Sequence, residues 1–467
     1  MIFPTVEFAV FFPPVLAISW WLMTRDWGWK WGWKPFILAA SYTFYAAAEP
    51  EFVLLIAGVT LGNQVAATLI ERAGSEKAKS WICGIAVALD LAVLGVFKYY
   101  GFFVTDVEGL LDSFGLGMGL PLAQIALPVG LSFFTFQAIS YTVDVRRGLC
   151  ERASTIDVAL YLSFFPHLVA GPIVRAREFL PQLAAPRDPK NVAVGTGTFL
   201  ICLGLVKKVI IADLLARELV DPVYAVPEAY GTADTLLATY GYAAQIYCDF
   251  SGYTDIAIGL ALLMGFIFPR NFDRPYASLS FREFWRRWHM TLSRFLRDFI
   301  YIPLGGNKKG RFNTYRNLMA TMVLGGLWHG AAWGFVLWGF IHGSALAIER
   351  LLNGRLRAPK ILVWAFVFHV VALAWIPFRA PDFETAGAFF EGLFRGGSAT
   401  LFEPAVVIAI IAAIGFQLLP ERPIAALRHR FEALNPYALA GTLALTIIVV
   451  GSTIPGGAVP PFIYFQF

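Results

Sequence analysis

The sequence predicts an all-α polytopic membrane protein, with about ten full transmembrane helices plus re-entrant and hairpin segments around a central cavity. Three observations carry this reading. The 467 residues are 58% hydrophobic and 15% charged, with a mean hydropathy of +0.63. Soluble domains carry roughly 25% charge. The apolar residues fall in runs of about 17 to 30 along the whole length, enough for a helix to cross a bilayer. The loops between the runs alternate in charge.

The first run, Val6 to Met23, lacks a basic leader and a small-residue cleavage pattern, so it reads as a first span. Arg25, Lys30 and Lys34 make the next loop basic, and Glu49 and Glu51 make the following one acidic. A slightly basic turn from Glu71 to Lys79 precedes an acidic stretch with Asp106, Glu108 and Asp112. Arg146, Arg147 and Arg152 are basic again. Basic loops stay in the cytoplasm, which puts the N-terminus outside it. The net charge of +5 never gathers into one stripe, so nucleic acid is not a partner. Cys83, Cys150, Cys202 and Cys248 lie in or beside apolar runs and read as small core residues. No His-Glu-x-x-His or cysteine cluster suggests a metal.

Two apolar segments have basic loops on both sides. Ile156 to Val174 is too short to cross twice and reads as re-entrant. Leu318 to Ala347 can form a helical hairpin whose arms of about 15 residues each cover about 22 Å. His329, Gly330 and Trp333 then lie near its tip. Non-helical backbone at membrane depth is tolerated only inside protein or along a water-filled cavity, so the charge pattern implies a cavity reaching His329. An intramembrane imidazole is expensive, which makes His329 the leading functional candidate.

The largest cytoplasmic loop, 270–316, is rich in Arg and Lys. Ser280 and Glu283 have capping-box spacing. After them Phe281, Phe284, Trp285, Trp288, Leu292, Phe295 and Phe299 recur at helical spacing, while Arg282 and Arg286 face elsewhere. The pattern predicts one amphipathic helix at the inner interface, aromatic residues in the bilayer and arginines near headgroups. His289 falls at the stripe boundary. Arg286 and Arg287, with Lys308 and Lys309 nearby, suit an anionic cytosolic ligand, and Trp285 and Trp288 anchor the helix. The bland reading is a membrane-lipid anchor alone.

His167, His342, His369 and His429 are given structural, cavity-lining or solvated roles. Asp249 and Asp255 are carboxylates in an apolar run, either ionic helix contacts or polar substrate contacts.

Several long motifs occur in order: Leu127-Pro128-Val129-Gly130-Leu131-Ser132-Phe133, Phe164-Phe165-Pro166-His167-Leu168-Val169-Ala170-Gly171-Pro172-Ile173, Asp249 to Gly259, Asn271-Phe272-Asp273-Arg274-Pro275-Tyr276, Glu283 to His289, Tyr301 to Asn307, and Gly325-Gly326-Leu327-Trp328-His329-Gly330. Together they resemble the membrane-bound O-acyltransferase family, in its bacterial alginate O-acetyltransferase branch. The resemblance covers the chain to about Phe378-Arg379-Ala380. It implies one membrane-embedded acyltransferase domain over 1–467, with N-terminal helices to 150, a catalytic core at 151–380 and C-terminal helices at 381–467. It implies His329 as the catalytic residue and His289 as its active-site companion. Arg286, Arg287, Trp285, Trp328, Asp249 and Asp255 complete the expected donor and substrate contacts.

The chemistry agrees with that expectation. Acyl transfer to an alcohol needs a base, and an imidazole in a low-dielectric site stays neutral and able to accept a proton. No Gly-x-Ser-x-Gly elbow is present, which favours direct histidine-assisted transfer, with an acyl-histidine left open. The resemblance further implies a bacterial cytoplasmic membrane location and no bound cofactor. The donor is expected to be acetyl-CoA or an acyl-carrier protein, and a separate extracytoplasmic polysaccharide O-acetyltransferase is the expected partner. Two alternatives stand beside this: D-alanyl transfer to teichoic acid, and a lipid or sugar transporter using His329 as a proton relay. The absence of an internal repeat weighs against the transporter.

Overall fold

A computed structural model describes residues 3–116, 125–169, 171–352 and 358–454. Among the described residues all regular structure is helical. They gather in two compact units, Met1–Gly197 with Ala257–Pro269, and Thr198–Ile256 with Arg270–Phe467.

In the first unit, α1 (Val6–Met23), α2 (Pro50–Arg72) and α3 (Glu76–Ser113) are long and apolar enough to cross a bilayer. The α3 helix starts where the Ser75 hydroxyl accepts from the Ala78 amide at 3.2 Å, satisfying one of the first free N–H groups. Trp81, Ile85 and Leu89 then form an open apolar stripe at four-residue spacing, suited to lipid. Next come α4 (Leu131–Arg146), which is buried almost throughout, and α5 (Thr155–Ser163).

The nine residues of α5 rise only about 14 Å, far short of a bilayer core. The chain breaks at Phe164, resumes for one turn at Phe165–Leu168, and comes back. The Tyr161 hydroxyl donates to the Val174 carbonyl at 2.9 Å, so the returning chain lies beside α5. The segment expected to be re-entrant therefore does fold back, buried in protein where its broken backbone has partners. Ala170 in this segment lies outside the described residues.

The second unit holds most of α6 (Thr232–Leu263). It also holds α7 (Phe281–Arg287), α8 (Met290–Leu296), α9 (Gly310–His329), α10 (Trp333–Leu351), α11 (Lys360–Arg379) and α12 (Pro404–Leu418). Both α6 and α11 qualify as spans, and α12 with the following Glu421–Glu432 helix forms a pair bent by 98°. Against the expected count of about ten, five helices among the described residues, or six with the bent pair, are by themselves long and apolar enough to cross a bilayer. The other apolar runs fold as shorter helices, such as α4 with 16 residues and Pro436–Ser452 with 17. An apolar run signals burial in lipid or in protein alike, so apolarity by itself does not count crossings.

The expected hairpin is α9 and α10, joined by Gly330–Ala332. Its arms are 20 and 19 residues, longer than expected because both helices run on into the charged flanks. A Cβ on Gly326 would sit 2.2 Å from the Phe335 carbonyl oxygen, and one on Gly339 would sit 2.5 Å from that of Met322. These two glycines let the backbones touch, as small residues do between membrane helices.

The loop ahead of α7 is tied down by Tyr276. Its hydroxyl donates to the Ala243 carbonyl at 2.7 Å, its amide to the Gln417 side chain at 3.0 Å, and its carbonyl accepts from the Trp364 indole at 2.8 Å.

Candidate active site

The expected single amphipathic helix is two short helices, α7 and α8, broken at Trp288 and His289. His289 adopts the left-handed conformation with φ 41°, costly for a residue with a Cβ. What holds it there is the segment Asn271 to Asp273. The Asp273 amide donates to the Arg287 carbonyl and the Met290 amide to the Asn271 carbonyl, both at 2.9 Å. The break turns His289 inward, so it is fully buried and not at a stripe boundary. The start of the aromatic stripe also does not face lipid. It packs on protein, with Trp288 5.0 Å from Trp375, Trp285 5.6 Å from Trp338 and Phe281 6.1 Å from Phe366. Periodicity reports an apolar face and not what covers it, which is why the sequence reading placed it in lipid.

The His289 tautomer follows from its partners. The Asn271 Oδ1 atom accepts from the Thr291 amide at 3.2 Å and the Thr291 hydroxyl at 2.9 Å. An amide N–H can only donate, so this atom is the carbonyl oxygen, and the His289 Nδ1 atom 3.2 Å away must carry the proton. The Nε2 atom then presents its lone pair, and it has no hydrogen-bond partner among the described residues. Burial pushes the His289 imidazole down to about 3, so it is neutral at physiological pH.

His329 ends α9 and is buried. Its ring lies 5.1 Å from Trp328, 5.1 Å from Trp338 on α10 and 5.2 Å from Phe378 on α11. The Trp328 ring is also 5.8 Å from His289. One indole therefore carries both histidines that the sequence reading singled out. On the far side, Trp338 lies 4.8 Å from His342, making a chain of three imidazoles interleaved with two indoles. Trp333 opens α10 with its side chain exposed.

A cavity of about 470 Å³ lies beside this chain. Arg282, Arg286, Arg294, Arg297 and Arg350 line it, with Trp285 and Tyr301 among the remaining wall residues. Arg286 is thus where an anionic ligand could meet it. Arg287 is occupied elsewhere, bonded to Glu283 at 2.7 Å. Asp255 pairs with Lys207 at 2.7 Å. Lys208 bridges Asp249 and Asp213, each at 2.6 Å and nearly sealed from solvent. These pairs match the ionic-contact reading of the two aspartates, each charge having a partner where burial would otherwise be costly. Lys308 and Lys309 do not line the cavity.

Two residues here escaped the sequence reading. Asn271 sat inside a quoted motif without a role. Glu349, the sole acid on α10, accepts from the Phe281 amide at 2.5 Å and the Arg282 amide at 3.3 Å, and so caps α7 from the hairpin. A lone carboxylate closing an apolar arm was the available signal.

The membrane-bound O-acyltransferase family model matches residues 118–374, more than half of the chain. The chain belongs to this family. It is a multi-pass membrane O-acyltransferase. A protein of Pseudomonas aeruginosa described as probable alginate O-acetylase AlgI is 44% identical over 374 residues, covering 79% of this chain and 71% of that protein. Its counterpart of the same description in Azotobacter vinelandii is 38% identical over 475 residues, covering 92% and 94%. A peptidoglycan O-acetyltransferase of Helicobacter pylori is 34% identical over 394 residues, covering 77% and 73%. The matched region spans the hairpin, the broken helix and the arginine cavity.

Proposed function

We propose that this O-acyltransferase takes an acetyl group from a cytosolic thioester donor, acetyl-CoA or an acyl-carrier protein, for O-acetylation of an extracytoplasmic polysaccharide such as alginate. The observation that carries the reading is the junction of the arginine-lined cavity with the chain of histidines: Trp285 lines the cavity and packs on Trp338, which packs on His329. The guanidinium groups, Arg286 foremost, suit the phosphates such donors bear. His329 takes the proton of the attacking hydroxyl as its oxygen bonds to the thioester carbonyl carbon. The C–S bond breaks and the thiolate leaves toward the cavity. His289, with its Nε2 lone pair presented, is the second active-site base. A separate extracytoplasmic O-acetyltransferase partner receives or completes the transfer, and the chain sits in the bacterial cytoplasmic membrane with its N-terminus outside the cytoplasm.

The test is the O-acetyl content of exported polysaccharide from cells carrying native protein or His329→Ala at matched levels in the membrane. Loss of nearly all O-acetylation is expected. Retention of a large fraction in a normally folded variant overturns the assignment of His329.

A further inference from the structure

His342 is fully buried, and neither ring nitrogen has a hydrogen-bond partner among the described residues. Its ring is stacked 5.9 Å from Phe284 and set edgewise 5.2 Å from Trp285 and 4.8 Å from Trp338. The indole N–H groups of Trp285 and Trp338 likewise lack an acceptor among the described residues. A neutral imidazole always carries one N–H, and leaving it buried and unmatched costs free energy that leucine or phenylalanine at this position would not incur. Pure packing therefore does not account for a histidine here.

The placement supplies the reason. Trp338, His342, Leu346 and Arg350 follow at four-residue intervals on α10, so they form one stripe along its face. Leu346 and Arg350 line the arginine cavity, and Trp338 lies against His329. The stripe thus runs about 18 Å along the helix axis from the cationic cavity to the reacting histidine, with His342 between. A thioester donor whose phosphates sit in the cavity and whose arm follows this stripe brings its acyl group to His329; the cavity ends at Leu346, so Trp338 and His342, both buried, line the way onward. That arm, common to coenzyme A and acyl-carrier proteins, carries two amides and ends in the thioester, so it presents carbonyl oxygens that need donors.

We propose that His342, flanked by the indole N–H groups of Trp285 and Trp338, is a donor-binding residue that hydrogen-bonds the carbonyls of the pantetheine arm. The inference rests on the donor reading above, and it adds the residues that recognise the arm apart from its phosphates.

The experiment compares direct binding of acetyl-CoA, an acetylated acyl-carrier protein and S-acetylpantetheine to purified native protein, His342→Leu, His342→Gln and Arg286→Gln. S-acetylpantetheine keeps the arm and thioester and lacks the phosphates. His342→Leu should weaken S-acetylpantetheine and the preferred full donor about tenfold, and His342→Gln, which keeps an N–H donor, should recover most of that loss. Arg286→Gln should weaken only a phosphate-bearing donor. Thermal unfolding of each variant separates misfolding from lost recognition. Native-level binding by His342→Leu, equal loss in the Leu and Gln variants, or no binding of S-acetylpantetheine to native protein overturns the proposal. If Arg286→Gln binds every donor normally while His342→Leu does not, the cavity reading fails and the His342 assignment stands.

Discussion

At the scale of single residues, the proposed chemistry turns on which nitrogen of an imidazole holds the proton. Asn271 sets this for His289 by accepting from Nδ1 with an oxygen that Thr291 also engages. Asn271→Ala removes that constraint, so the ring can present the wrong nitrogen. A fall in kcat of at least about tenfold is expected with little change in donor KM, measured by release of the donor thiol. A fall in kcat that disappears when rates are normalised to folded protein would instead mark Asn271 as a folding residue. The same histidine makes stability depend on pH. Its folded pKa lies near 3, below an unfolded value of about 6.5. The unfolded chain therefore binds a proton first as pH falls, and this contribution to stability, whole above about pH 6.5, is lost as pH drops toward 3. His289→Asn, which tolerates the left-handed backbone, should flatten the fall of melting temperature between pH 7 and pH 5. An unchanged slope would show that other groups dominate.

At the scale of elements, the hairpin and the broken helix position one another. Gly326 has no room for a methyl group, since its Cβ would lie 2.2 Å from a backbone oxygen of the facing arm. Gly326→Ala should separate the arms and destabilise the protein by about 1–3 kcal/mol, seen as a lower unfolding temperature in detergent. It should also reduce transfer, because Trp338 and His329 sit on opposite arms. Glu349 joins the two elements by capping α7. Loss of a cap costs about 0.5–2 kcal/mol, and this one also sets the direction of Arg282 and Arg286. Glu349→Ala should raise donor KM severalfold and lower kcat less, with Glu349→Gln intermediate. A selective drop in kcat would place Glu349 nearer the chemistry than its contacts do.

At the scale of the whole molecule, charge placement decides sidedness. The proposed donor cavity is lined by five arginines from the loop expected in the cytoplasm and from the end of α10. Exposed charges are screened over about 8–10 Å at ordinary ionic strength, so donor KM should rise with added salt. On the proposed topology, a single cysteine at Arg294 or Lys308 should react with an impermeant reagent only from the cytoplasm, and a tag on the N-terminus should be reachable only from outside. Labelling with the opposite sidedness would reverse the proposed topology.

The sequence by itself determined the class of molecule, the re-entrant segment, the hairpin with His329 at its tip, and the basic aromatic loop. Each rests on composition, charge alternation or spacing, which are properties of the chain in order. The position of Asn271 beneath His289, the break that buries that histidine, the capping of α7 by Glu349 and the stripe from Arg350 to Trp338 were decided only by tertiary structure. In each case the partners are far apart in sequence, and apolar periodicity does not distinguish a face covered by lipid from one covered by protein. The aspartates of α6 were legible as buried charges, but only the fold showed that Lys207 and Lys208 neutralise them, because an ion pair exists only where two chains of contacts meet in space.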